Sequence, residues 1–211
     1  MATFNALARD AEVVNALAPE SSNSNPYIES LMRKAEKDYP FISQHKPVVV
    51  MGNGEGYAQT WPPGEGGPPD QQGKDTRPIG MPMDKLGIEI YRPNEFNHHA
   101  LAGEVLHVDP YAREISDKLA TTFDPRQLEV LKREALDYQH SLNTGQDEKR
   151  AIQNATDAAV RGYVVNQWPE EVNQKFAYNP KQLSALEELK KYATSPLSRK
   201  DLLELEINRL K

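Results

Sequence analysis

The chain has 211 residues, 38% hydrophobic and 27% charged, and its 25 Lys and Arg against 31 Asp and Glu give a formal net charge of -6. That balance argues against a protein that coats nucleic acid, because phosphate contacts need clustered positive charge. There is no cysteine, which excludes disulfides, zinc knuckles and thiol catalysis. The opening Met1-Ala2-Thr3-Phe4-Asn5-Ala6-Leu7 has neither the basic nor the apolar region of a secretory signal. No run reaches the ~20 apolar residues of a membrane span. Phe4, Leu7, Val14 and Leu17 predict a first helix, ended by Pro19 and the polar run Ser21-Ser22-Asn23-Ser24. Asn25-Pro26 predicts the start of a second, since Asn caps well and Pro is tolerated at the first helical position. Ile28, Leu31, Met32 and Ala35 then follow at i, i+3, i+4 and i+7, and Tyr39-Pro40 stops the pattern.

The period changes in the middle of the chain. Pro47-Val48-Val49-Val50-Met51 is a strand by its β-branched content. Nine of the 12 glycines lie between Gly52 and Gly87. Gly52-Asn53-Gly54-Glu55-Gly56 reads as a hairpin turn, because Asn-Gly supplies the positive φ values of a tight turn. Tyr57 to Trp61 is then the returning strand, and Gly87-Ile88-Glu89-Ile90-Tyr91 a third. The Pro/Gly excursion over 62–82 is longer than an ordinary connection. With few apolar anchors, it is expected to be ordered by a neighbour or by lying across a cleft near Glu104. Phe96, Ala100, Leu101 and Val105 predict a helix running to about His107.

The remainder reads as helical. Asp109-Pro110 and Asp124-Pro125 repeat the cap-plus-proline start, the second with Gln127 placed for a capping box. Leu128, Leu131, Ala135 and Tyr138 continue that helix to a break at Asn143-Thr144-Gly145. Ile152, Ala155, Ala159 and Tyr163 place another between about 147 and 167, and Trp168-Pro169 interrupts it. Asn179-Pro180 opens a further helix, and Ser198 caps the last, with Asp201 at its third position. The fold class expected is α+β: a small antiparallel sheet packed on helices, with helical extensions at both ends. The organisation expected is a helical arm over 1–45, an α+β core over 46–140 and a helical region over 141–211.

Chemistry concentrates in His98-His99-Ala100-Leu101-Ala102-Gly103-Glu104-Val105-Leu106-His107-Val108-Asp109. In an H-E-x-x-H zinc helix two His at i and i+4 bind the metal, and the Glu is the general base. Here Glu104 and His107 are in register and Gly103 stands where the first His belongs. The order of hairpin, strand and helix over 47–108 resembles zincin metallopeptidases. The resemblance implies a zinc-dependent hydrolase with Glu104 as catalytic base and His99 (or His98 beside it), His107 and Asp109 as metal ligands. A catalytic zinc needs three protein ligands and a water, and His99 lies a turn before Gly103, so an inherited site is expected to be degenerate. The alternative is surface histidines, with Asp109 a helix cap, no cofactor and no enzyme. Gly52-x-Gly54-x-Gly56 matches no phosphate-loop pattern.

Leu202, Leu203, Leu205, Ile207 and Leu210 leave the last helix apolar on nearly every side. Such a helix calls for burial, on its own domain or on another chain. Trp61-Pro62-Pro63-Gly64-Glu65, Arg77-Pro78, Gly87 to Tyr91, His107-Val108-Asp109-Pro110, Phe123 to Gln127 and Arg161 to Trp168 occur in an order that resembles proteins encoded by tailed bacteriophages and prophages. The resemblance implies a virion-associated protein in the host cytoplasm or the virion, working through contacts with other virion proteins or with itself.

Overall fold

The computed structural model describes residues 25–54, 56–65, 77–78 and 80–211. The helix expected over Phe4 to Leu17 lies outside them. The chain divides into two compact units, whose described parts are 25–33 with 46–97 and 34–45 with 98–211.

Helix α1 (Pro26–Asp38) starts where Asn25 predicts. The Asn25 carboxamide oxygen accepts the amides of Tyr27 at 3.0 Å and Ile28 at 3.4 Å. In the first unit, strands β1 (Val48–Met51), β2 (Ala58–Trp61) and β3 (Gly87–Ile90) form one sheet in the order β1-β3-β2. β3 runs parallel to β1, with Val48 opposite Gly87, and antiparallel to β2, with Trp61 opposite Gly87. The sheet is therefore mixed, and the antiparallel hairpin expected over 48–61 does not form. A type I′ hairpin turn needs positive φ at both central residues. Neither Asn53 nor Gly54 has it, and among the described residues of this stretch only Gly56 does, at φ 123°. The backbone instead passes beneath β3's side chains: a Cβ on Gly52 would collide with Glu89, and one on Gly54 would lie 2.7 Å from the Tyr91 ring. Gly87, Ile88 and Ile90 are buried, as a central strand requires.

The base of the 62–82 excursion is closed by one side chain. The buried Arg77 guanidinium donates to the carbonyls of Pro62 (3.0 Å), Glu65 (2.9 Å), Pro82 (2.8 Å) and Lys85 (2.6 Å). The Gly64 amide adds a bond to Met83 O. The described ends of this loop are thus held by the loop itself. Its centre, 66–76, lies outside the described residues.

The second unit holds the end of α1 and α2 (Ile42–His45), α3 (His98–Val108), α4 (Pro110–Ala120), α5 (Pro125–Glu134), α6 (Leu136–Asn143), α7 (Glu148–Val164), α8 (Glu170–Phe176), α9 (Pro180–Thr194) and α10 (Arg199–Arg209). α7 is the axle, packing on α3, α4, α5, α6 and α9. Its buried Ala151, Ala155 and Ala159 recur every four residues and form one narrow stripe. Small side chains there let the neighbouring helices approach closely. Phe176 fills the core with Leu131, Ala135, Ala155 and Ala159, and Phe123, Trp168 and Tyr178 pack against it. The helix expected from Asp124 to Asn143 is two helices, because Ala135 leaves the helical region at φ -91°, ψ 111°. Pro169 begins α8 where an interruption was expected, with Glu170 and Glu171 in the favourable first turn.

Candidate functional site

α3 is buried nearly all round, through Ala100, Leu101, Ala102, Gly103, Val105 and Leu106. Its polar side chains leave in different directions, each toward a different neighbour. His98 Nε2 lies 2.9 Å from Asp38 Oδ2. His99 Nδ1 is 2.7 Å from Tyr39 OH. Burial, with help from His98 and against Asp38, holds the His99 imidazole below its ordinary pKa. Glu104 and His107 point to α7, and Asp109 turns back onto the start of α4.

At α7, Asp157 gathers the chemistry. His107 Nδ1 is 2.7 Å from Asp157 Oδ2, and Arg161 Nε donates to the same oxygen at 3.0 Å. Ser116 Oγ reaches Oδ1 at 3.4 Å. Arg161 also faces Glu104 at 3.9 Å and Asp137 at 3.7 Å. Burial raises the Asp157 carboxyl, but His107, Arg161 and Ser116 outweigh it and hold the pKa below the ordinary carboxylate range. Arg161 is opposed by burial and held charged by Asp157, Glu104 and Asp137. Serine, histidine and aspartate all meet here, but the carboxylate is in the middle. A hydrolytic relay needs the histidine between acid and nucleophile, and Ser116 bonds the acid instead. The arrangement ties α3, α4 and α7 together.

Asp109 forms a second junction. Oδ1 accepts the amides of Tyr111 and Ala112, both at 2.9 Å, which caps α4. Oδ2 accepts from Tyr192 OH at 2.8 Å and meets His45 Nε2 at 2.9 Å. With its side chain 2% exposed, this carboxylate has no lone pair aimed at open solvent. Burial raises its pKa, yet the bonds from His45, the Ala112 amide and Tyr192 leave it lowered overall.

The structure brings Glu104 and His107 to one side, with Arg161 and Asp157, and sends His99 and Asp109 elsewhere. Among the described residues, no three His, Asp or Glu side chains gather as a metal-holding group. Space is tight at the position of the missing first histidine. A Cβ on Gly103 would meet Gln167 Oε1 at 3.3 Å and Val165 Cγ2 at 3.8 Å. His45, Asp157, Arg161 and Tyr192 carry these junctions, and no local motif marks them in the sequence.

The last helix stands in contrast to α3. Ser198 and Asp201 close a capping box at its start, as expected, but none of its residues is buried. Leu203, Leu205, Ile207 and Leu210 are 54%, 57%, 53% and 77% exposed. Leu202 alone of the five is half-buried, in a groove of about 390 Å³ formed with α4 and α9.

No family model, curated protein or solved structure matches the chain. Among the described residues, no helix is long and apolar enough to cross a membrane.

Proposed function

We propose that the chain is a structural, virion-associated protein of a tailed bacteriophage, present in the host cytoplasm and the virion, and that it acts through protein–protein contact made by α10. One observation carries the contact: α10 holds four large apolar side chains with Leu210 at its end, and among the described residues none of the five is buried. Four of them keep half or more of their surface in water, which forgoes roughly half of the 1.5–3 kcal/mol that full burial of each is worth. A covering partner recovers that energy. The phage assignment is supported by the ordered segments from Trp61 to Trp168 alone. The metal-dependent hydrolase reading has less support, because its ligands diverge.

Chemical cross-linking tests the contact. The full chain should cross-link to itself or to a phage structural protein through Lys200 or Lys211, and removal of 198–211 should abolish this. Because no residue of α10 is fully buried, the rest of the truncated chain should keep its helical circular dichroism. Unchanged cross-linking after truncation contradicts the proposal.

A further inference from the structure

We infer that Asn53 is a site of spontaneous covalent modification: it loses its amide to an isoaspartyl link, and the product loosens the end of β1 from β3. This is independent of any contact through α10. Asn53-Gly54 is the one Asn-Gly pair in the chain. Asparagine is a thermolabile side chain, and its reaction runs through the backbone nitrogen of the next residue. Both residues are exposed and lie outside helix and strand, just past β1. Among the described residues, neither the Asn53 carboxamide nor the Gly54 amide makes a hydrogen bond. Nothing described there keeps the side chain from turning back on that nitrogen.

The fold favours keeping this pair together. Neither residue has a positive φ, so no turn demands glycine at 54. Packing favours it instead: a Cβ there would lie 2.7 Å from the Tyr91 ring. That ring is tethered by its hydroxyl, which donates to Glu89 at 3.0 Å. A larger residue at 54 would have to push the ring aside. The contact thus leaves Asn53 with the neighbour that shields its carboxamide least, one without a Cβ.

The reaction needs no partner but water. The Gly54 nitrogen gives up its proton and bonds to Cγ of Asn53. The Cγ–Nδ2 bond breaks, ammonia leaves, and a succinimide ring closes. Water then opens the ring. Attack at the backbone carbonyl carbon leaves the chain running through Cγ, which is the isoaspartyl link. Attack at Cγ leaves ordinary aspartate. Either product adds a carboxylate beside a stretch that already lies against Glu89, whose side chain leaves no room for a Cβ on Gly52. The isoaspartyl link also lengthens the backbone by a methylene immediately before Gly54, where the chain is close against Tyr91. The Gly52 amide donates to Ile90 O at 2.9 Å, just past the pairing of Met51 with Ile90. That bond adjoins the modified residue and is the first to feel the change.

Peptide mapping by mass spectrometry, on the full chain aged in warm, mildly alkaline buffer, tests this. Asn53 should lose its amide before any other asparagine, with isoaspartate as the main product. The folded chain should react as fast as the chain in urea. Asn53→Gln, a change at an exposed side chain, should lose the reaction, because the longer side chain closes the ring poorly. In the isoaspartyl chain, separated by its added charge, the Gly52 amide should exchange with solvent about tenfold faster than in the fresh chain. An amide kept at Asn53 in the folded chain but lost in urea would overturn the inference. So would another asparagine reacting first, aspartate as the main product, Asn53→Gln ageing like the parent, or Gly52 exchange unchanged by the modification.

Discussion

Asp109 shows how far a single residue can be read. Asp-Pro announces a helix start from two adjacent letters, and the cap is there. His45 and Tyr192, which complete the junction, come from 64 and 83 residues away, and no local pattern links them. Asp109→Ala should cost about 3 kcal/mol, because it removes a cap and leaves buried partners unpaired. Urea unfolding at neutral pH measures it. The acid limb is also set here. The folded carboxyl has a lowered pKa, so the unfolded chain takes up the proton first. The contribution is whole above about pH 4 and is lost as pH falls through the folded value. Asp109→Asn keeps the cap and should flatten the fall of stability below pH 4. Asp157, lowered in the same way, keeps it from becoming level. Arg77 was read only as part of an Arg-Pro dipeptide, yet it ties four carbonyls. Arg77→Met should lower stability by about 3 kcal/mol. Arg77→Lys should recover little, since an ammonium lacks the planar fork that spans all four carbonyls. Thermal unfolding of the three chains decides it.

At the scale of elements, the legible features were those whose cause is local. Every helix opened by Asx-Pro was found where the cap and proline placed it, at α1, α4, α5 and α9. The break at Ala135 carries no Gly or Pro to announce it, and α8 begins at a proline that reads equally as a stop. The sheet was misread for a different reason. Strand identity follows from β-branched and alternating residues, but strand order is a choice among distant partners. Asn53-Gly54 pointed to a local hairpin, and the tertiary pairing of β3 with both other strands overrode it. α3 keeps the Glu and second His of a zinc helix, while the glycine in place of the first packs closely against Val165 and Gln167. Gly103→His should destabilise the chain by about 1–3 kcal/mol through overpacking and add no zinc affinity. Isothermal titration with zinc and a denaturation curve test both halves.

At the scale of the whole molecule, α10 is the one described helix with no buried residue. Composition and hydropathy showed that the last helix is broadly apolar. They left open whether its own domain or another chain covers it, because a helical wheel says how much to bury and not against what. Among the described residues none of its side chains is buried, and of the apolar ones Leu202 alone is half-buried. Hydrogen exchange along 199–209 is the most direct test that a partner does. The amides of α10 should exchange slowly when the full chain is concentrated and quickly on dilution, and Leu205→Lys should exchange quickly at both. Exchange at one rate across all concentrations, identical in Leu205→Lys and with phage structural proteins added, would contradict contact through this helix.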